Sequence, residues 1–573
     1  TFKENAGDSF SLTPGNIGAR RFRQLQKRSE MEAITGTLPT LSEAQSEAIA
    51  LIRKAFDDGR PALLHGVSGA GKTEIYMHLI ADTIRNGGNA LLLIPELALS
   101  TQLTERLSAH FGNTMTVYNS RTTPASRQAT YSLILHGAGG SLTVGTRAVV
   151  ALPFEKLDLV VIDEEQDAGY RQSEPAPRYN ARDAAMMLAR IHCAKALLTT
   201  ATPSVESYHN ASTGKYALVT LTERYNGLGN PKVTVIDRRT IASREKRENG
   251  YNADTRYLST YLLRRLQETI ASGEQAILFQ NRRGYSSRME CLECGYTPLC
   301  PDCNVTLTYH KGKDRLECHY CGHAEKAVRR CPSCGSHNIT TEGIGTENIE
   351  EKIARFIPEA RVVRLDADIT RSKRELGAVL RKISAHEADI IIGTQMISKG
   401  FDFDNIGLVG VVNADNLLCF PDFRASEHTF QLLVQIAGRM CRGGSRGELI
   451  IQSSHDIRRI VGDVINFDYI SMFDREITER RRYMYPPFFR LIEITLKHRD
   501  IARVESAAHA LARECRRLFG SRAGDAAIPM IDRIRGDYLR SVTVKMEKGA
   551  DLARAKAMLR RSLDELSADE LKG

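Results

Sequence analysis

The chain contains no tryptophan, and aromatic residues make up only 6% of its 573 positions. Stacking on indole is therefore excluded, and any flat ligand must meet one of 19 tyrosines or 18 phenylalanines. The chain lacks an apolar run approaching the roughly 20 residues that cross a bilayer. It also lacks the hydrophobic centre of a signal peptide, because Thr1 to Thr40 is polar and punctuated by glycine. A cytoplasmic location with no membrane partner is the expectation. No Met stands at the start, which leads us to expect that the chain begins inside a longer one. Acidic residues are in the minority, 69 against 79 lysines and arginines, and the net charge of +10 favours a polyanionic partner. Length suggests three or four domains, at about 150 residues each.

Cysteine is present and patterned. Eight of the 12 form four CxxC pairs, Cys291/Cys294, Cys300/Cys303, Cys318/Cys321 and Cys331/Cys334. Two such pairs complete a closed tetrahedral zinc site, so four imply two structural zinc ions. Each pair is followed by a residue tolerant of positive φ, namely Gly295, Asn304, Gly322 and Gly335. Only five residues separate the first two pairs, whereas 14 lie between the second and third, enough for a hairpin. Cys300, Cys303, Cys318 and Cys321 are therefore assigned to one ion, and Cys291, Cys294, Cys331 and Cys334 to the other. His310, His319, His323 and His337 are read as surface residues, since eight thiolates already fill two tetrahedra. Disulfides do not suit a chain of this length outside an oxidising compartment. Among the remaining cysteines, Cys193, Cys419 and Cys515 are expected to be buried structural thiols.

A second pattern concerns phosphate. Gly66-Val67-Ser68-Gly69-Ala70-Gly71-Lys72-Thr73 fits GxxxxGK[ST] between the apolar run Pro61 to Leu64 and the helix-like Glu74 to Arg85. Glycines at 66, 69 and 71 let backbone N–H groups wrap phosphates, Lys72 reaches the β- and γ-phosphates, and Thr73 holds Mg²⁺. Leu157 to Ile162 reads as a buried strand ending in Asp163-Glu164-Glu165-Gln166. A carboxylate at such a strand end faces the phosphates, so Asp163 is assigned to Mg²⁺ and Glu164 to the attacking water. Upstream, Gln45 resembles an adenine-sensing Q motif. Val144-Gly145-Thr146-Arg147 ends a strand with a hydroxyl and a guanidinium suited to nucleic-acid phosphates. Thr200-Ala201-Thr202-Pro203 resembles the small-hydroxyl turn that links hydrolysis to a nucleic-acid track.

A second α/β half is expected from the strands Gln275 to Phe279, Arg361 to Leu365, Ile390 to Ile392 and Leu408 to Val412. Gly393 to Gly400, with Thr394 and Lys399, and Gln435 to Arg442, with Arg439 and Arg442 three apart on one helix face, stand where helicase motifs V and VI belong. Such arginines stabilise charge on a transferring phosphoryl group.

Taken in order with Asn281-Arg282-Arg283-Gly284-Tyr285, Gly345-Thr346-Glu347, and Ala414-Asp415 through Pro421 to Ala425, these motifs resemble the primosomal protein N′ (PriA) family, bacterial replication-restart helicases of superfamily 2. The resemblance covers roughly residues 39 to 545. It implies an α/β chain of two RecA-like parallel-sheet lobes with a two-zinc insertion in lobe two and a small C-terminal α+β domain. The expected spans are a remnant at 1–38, lobe 1 at 39–225, lobe 2 at 226–290 and 335–465, the zinc insertion at 291–334 and a DNA-binding domain at 466–573. The implied activity is ATP- and Mg²⁺-dependent 3′→5′ translocation on single-stranded DNA at stalled or abandoned forks, followed by primosome assembly. The implied partners are forked DNA, primosome proteins, single-stranded DNA-binding protein and the machinery that loads the replicative helicase. Tyr170, Arg171, Arg178 and Tyr179 match the family's aromatic-rich DNA-sensing loop, where base stacking on a tyrosine is physically sensible. Three departures stand out. Fewer than fifty residues precede Gln45, where the family carries a 3′-end-binding domain and a winged helix; Gln166 replaces the family's histidine; and Cys441 replaces a glycine beside the arginines. A zinc-knuckle scaffold with weak ATPase and a DNA-uptake helicase are the alternative readings.

Overall fold

The computed structural model describes residues 37–573 apart from 96–100, 120–121, 137–138, 174, 226, 228, 238–257, 281–288, 292, 295, 303–304, 311–313, 319–320, 341–345, 366–372, 395–396, 398–404, 419, 439, 441–446, 454–457, 531, 535 and 570–573. The chain divides near Gly227 into two compact units.

In the first unit the strands are β1 (Ala62–Gly66), β2 (Ala90–Leu93), β3 (Met115–Tyr118), β4 (Leu142–Gly145), β5 (Leu159–Asp163), the short hairpin β6 (Arg171–Gln172) and β7 (Tyr179–Asn180), β8 (Lys195–Thr200) and β9 (Ala217–Leu221). All but the hairpin form one parallel sheet in the order β3-β4-β2-β5-β8-β1-β9. Central strands such as Ala90–Leu93 are buried throughout rather than on alternate residues, because helices cover both faces of a parallel sheet. One face packs Ile52, Phe56, Ile75 and Ile80; the other packs Val160, Ile162, Tyr170 and Ala185. The helix Glu43–Asp57 opens on a capping box in which Ser42 and Gln45 satisfy each other's backbone N–H groups. A parallel sheet sends every strand's C-terminal end to one edge, which places the segments after β1, β5 and β8 side by side.

The second unit continues with β10 (Lys232–Asp237), β11 (Gln275–Phe279), β12 (Glu290–Cys291), β13 (Thr308–His310), β14 (Arg315–Glu317), β15 (Ala324–Lys326), β16 (Ile339–Thr340), β17 (Val362–Leu365), β18 (Ile390–Gly393), β19 (Ile406–Val411), β20 (Glu448–Ser453), β21 (Phe489–His498), β22 (Arg533–Ile534) and β23 (Asp537–Glu547). Six of these make a second parallel sheet, β10-β20-β19-β11-β18-β17. The Cys-rich segment leaves the sheet after β11. It builds a three-stranded antiparallel sheet from β13 to β15 and is closed by the β12–β16 pair. That pair extends the module to about Thr340, beyond the 291–334 span expected from the cysteines alone. The C-terminal sheet β21-β23-β22 packs with the helices Ile501–Phe519 and Leu552–Asp569 around Leu511, Cys515, Val542 and Val544.

Two expectations are corrected here. Cys193 is exposed, at a positive φ of 53° just past the helix Ala181–Ile191, so it is no core thiol, whereas Cys515 is buried; Cys419 lies outside the described residues. The helix Tyr469–Arg482, expected in the C-terminal domain, belongs by packing to lobe 2. It lies on the helices Ala425–Ala437 and Arg458–Asn466, and its Arg480, 1% exposed, ion-pairs with Glu427. Around that pair runs a pile of rings and cations. Phe423 and Tyr485 stack at 4.3 Å, the Arg424 guanidinium lies 4.2 Å from the Phe423 centroid, and Lys545 of β23 lies 4.4 Å from the Tyr485 centroid. Phe423 also packs against the apolar core of the Cys-rich module. One aromatic pair thus touches lobe 2, the Cys-rich module and the C-terminal sheet.

Candidate nucleotide site and Cys-rich metal centre

The loop after β1 needs glycine for steric reasons. Gly69 and Gly71 adopt φ of 80° and 79°, and a Cβ on Gly71 would lie 2.0 Å from Gln45 Nε2. Lys72 Nζ donates to the loop's own Gly66 O (2.9 Å) and Val67 O (3.2 Å), which aims the ammonium into the loop's concave side. Gln45 is 2% exposed; its Nε2 donates to Ala70 O (3.1 Å) and its Oε1 accepts from Ser42 N (2.8 Å). It braces the phosphate loop with both ends of its amide. His65, one residue ahead of the loop, is held neutral by burial and then by the charge of Lys72, with its pKa lowered to about 4.

Facing the loop, Asp163 ends β5. Its Oδ1 accepts from Thr199 Oγ1 (2.6 Å) and Glu164 N (3.0 Å), and Tyr76 OH reaches its Oδ2 (3.5 Å). Burial first, and the adjacent Glu164 charge second, raise the Asp163 carboxyl to about 6. Two adjacent, partly buried carboxylates beside a phosphate loop are the environment a divalent cation relieves, so these residues fit Mg²⁺. Glu164 is held at φ 46°, a left-handed backbone that a non-glycine residue rarely adopts. From it a hydrogen-bonded chain runs onward. Gln166 Nε2 donates to Glu164 Oε2 (2.6 Å), Thr200 Oγ1 donates to Gln166 Oε1 (2.6 Å), and Thr202 N donates to Thr200 Oγ1 (2.9 Å). The DEEQ strand end and the TATP turn are therefore one network.

Sequence reasoning missed Glu165. Its side chain is buried and accepts from Ser204 N (2.6 Å), Ser207 Oγ (2.7 Å) and Arg182 Nη1 (2.8 Å), fixing the start of the helix Val205–Ser212 beneath the TATP turn. A buried carboxylate is tolerated only when so fully bonded. The one available signal was a third carboxylate following an apolar strand.

Tyr170 is a correction. At 1% exposure it lies in the core with its hydroxyl donating to Asp163 O (2.6 Å), so its ring offers no stacking face to DNA. Tyr179 is half-buried and donates to Arg147 O (3.1 Å), while Arg147 Nη1 donates to Arg171 O (3.2 Å). The hairpin is thereby tied to the Thr146-Arg147 strand end, where Thr146 is buried and Arg147 more open; Arg171 and Arg178 are exposed. In the second unit Thr394 is buried after β18, its carbonyl accepting from Ile397 N (3.0 Å). Lys399, Arg439 and Arg442 lie outside the described residues.

The cysteines converge in two groups. Cys291, Cys294, Cys331 and Cys334 bring their sulfurs within 4.8 Å of one another, as do Cys300, Cys318 and Cys321; Cys303 lies outside the described residues. Sulfur–sulfur distances are 3.6 Å for Cys291–Cys334, 3.4 Å for Cys294–Cys331 and 3.5 Å for Cys300–Cys321. These approach the tetrahedral edge of about 3.8 Å set by zinc–sulfur bonds of about 2.3 Å. Gly322 and Gly335 take φ of 80° and 75° and close their knuckles through Gly322 N to Cys318 O (2.9 Å) and Gly335 N to Cys331 O (2.8 Å). Gly322 is also crowded from outside, because Asp525 N of the C-terminal domain donates to Cys321 O (2.9 Å).

Comparison with known proteins follows these divisions. Residues 42–211 match the DEAD/DEAH box helicase model, 300–326 the PriA DNA helicase Cys-rich region domain and 338–444 the helicase conserved C-terminal domain. These bring an ATP-binding helicase core and a zinc ribbon. The replication restart protein PriA of Bacillus subtilis is 38% identical over 92% of this chain and 65% of its own length. That of Rickettsia conorii is 36% identical over 90% of this chain and 77% of its own length. This chain thus spans just under two thirds of the first relative and about three quarters of the second. With both helicase models, the Cys-rich model and these relatives in agreement along the same sequence, the chain belongs to the replication restart protein PriA family of DNA helicases.

Proposed function

We propose that the chain is an ATP-dependent DNA helicase that moves 3′→5′ along single-stranded DNA at abandoned replication forks and prepares them for primosome assembly in the cytoplasm. The observation that carries this reading is the unbroken hydrogen-bond path from Glu164 through Gln166 and Thr200 to the backbone of Thr202. It links Glu164 to the turn after β8, and this supports a coupling of the attacking water to a DNA track. Thr73 and Asp163 hold Mg²⁺, Lys72 neutralises the β- and γ-phosphates, Glu164 orients the attacking water, and Arg439 and Arg442 meet the charge that develops on the γ-phosphoryl group. Two zinc ions, one per cysteine group, are structural, since four thiolates leave no open position. Thr146, Arg147, Arg171, Arg178, Tyr179, Thr394 and Lys399 contact DNA, and the small C-terminal domain adds a further DNA surface. Single-stranded DNA-binding protein, primosome proteins and the helicase-loading machinery are the partners.

The test is ATP hydrolysis with and without single-stranded DNA. Stimulation by DNA, and its abolition in Lys72→Ala with DNA binding retained, is the expected result. Undiminished DNA-stimulated turnover in Lys72→Ala would remove the motor assignment.

A further inference from the structure

After β9 the chain stays on the phosphate loop. Val67 N donates to Leu221 O (3.0 Å), and Tyr225 N donates to Gly69 O (3.0 Å), so the segment touches the loop twice. A turn then closes with Gly227 N donating to Arg224 O (3.0 Å), and Gly227 takes φ 66°. Tyr225 therefore occupies the first corner of a hydrogen-bonded turn. Tyr225 is 70% exposed, the highest value among the exposed large hydrophobic residues described. A lone exposed tyrosine on an open face would need no explanation. This one is fixed through its own amide to the loop built to hold phosphates.

The neighbouring loop carbonyl, Ala70 O, takes Gln45 Nε2, and Gln45 Oε1 is engaged with Ser42 N. Gln45, buried and bonded at both ends of its amide, offers a nucleotide base little contact area. Tyr225 offers a flat aromatic one, on a backbone held to the adjacent residue Gly69.

We propose that Tyr225 packs its ring on the base or ribose of the bound nucleotide and so adds nucleoside affinity to what the phosphate loop and Gln45 supply. The inference rests on the ATPase reading above. It also puts a nucleotide-sensing ring two residues before the point at which the first unit ends.

The experiment compares the 573-residue wild-type chain, Tyr225→Ala and Tyr225→Phe, with Lys72→Ala as control. It measures KM and kcat for ATP and inhibition by inorganic tripolyphosphate, which occupies the loop but carries no base. Tyr225→Ala is expected to raise KM for ATP roughly three- to tenfold, the worth of one aromatic stacking contact, and more than it lowers kcat. Tyr225→Phe should restore KM, because the ring rather than the hydroxyl makes the contact, and tripolyphosphate should inhibit all three alike. An unaltered KM in Tyr225→Ala overturns the proposal. So does an equal weakening of ATP and tripolyphosphate, which would mean that the turn merely supports the loop. If Lys72→Ala abolishes hydrolysis while Tyr225→Ala keeps its KM, only this proposal falls. If Lys72→Ala keeps hydrolysing, the ATPase reading falls first.

Discussion

Gln166 donates to Glu164 while accepting from Thr200. A histidine does both only as one neutral tautomer and loses its acceptor when protonated. Gln166→His is therefore expected to keep DNA-stimulated hydrolysis at pH 8 and to lose it, relative to wild type, as pH falls through about 6.5. The ratio of stimulated rates at pH 6 and pH 8 in the two proteins checks this, and equal ratios would rule it out. Gln166→Ala breaks the path at both ends and should lower the DNA-stimulated rate about tenfold or more while leaving nucleotide affinity nearly intact. At this scale the phosphate loop and strand-end acids were legible, because each is a contiguous motif whose chemistry needs those residue types together. Glu165 and Tyr170 were not. Their roles depend on Arg182, Ser204 and Ser207, or on Asp163's carbonyl, brought in by the sheet, and a tyrosine in a polar loop reads as exposed until its hydroxyl finds a buried acceptor.

Among the elements, the knuckle Cys318–Cys321 is where the Cys-rich module meets the C-terminal domain. A Cβ on Gly322 would stand 2.9 Å from Asp525 Cβ and 3.1 Å from Ala526 O, at a φ that side chains resist. Gly322→Val should cost roughly 2–4 kcal/mol, from overpacking plus backbone strain. Hydrogen exchange should accelerate at residues 523–527 while zinc content stays at the wild-type level. The helix Tyr469–Arg482 carries a second test. Burial raises the Glu476 carboxyl to about 7, against the opposing pull of Arg480. A carboxyl whose folded pKa lies above its unfolded value binds more protons when folded, so its contribution to stability declines as pH rises from about 4.5 to 7. Glu476→Gln should therefore melt above wild type at pH 8 and lose that advantage by pH 5. The difference should be on the order of 1–3 kcal/mol. Parallel melting curves at the two pH values would exclude the role. Strand positions were readable from continuous apolar runs, which both parallel sheets require. The ownership of this helix was not, since helix amphipathicity gives a buried face without saying which core receives it.

For the molecule as a whole, the nucleotide-binding sheet and the cysteine module are built in different units, so metal and hydrolysis should separate. Removing zinc by chelation, or by Cys300→Ser with Cys318→Ser, should unfold the segment between β11 and β17 and impair unwinding or partner loading. DNA-stimulated ATPase should largely survive. Zinc analysis, strand-displacement assays and ATPase on the same preparation decide this, and a complete loss of ATPase in protein whose lobes remain folded would refute it. The division into lobes was legible because βα alternation recurs on both sides of the cysteines. The joining of Cys-rich module, lobe 2 and C-terminal sheet through Phe423 and Tyr485 was not, because residues 62 positions apart meet only in three dimensions.

The Arg480–Glu427 pair also bears on the order of events at the ribosome. The last strand of the second sheet ends at Ser453, but Glu427 receives its cation only 27 residues later. A buried carboxylate left without its partner costs about 3–5 kcal/mol, a large share of a domain's net stability. At synthesis rates of about 5–20 residues per second, that lobe waits roughly one to five seconds beyond completion of its own sheet before it can settle. Until then the face of lobe 2 on which the helix Tyr469–Arg482 packs has nothing to cover it.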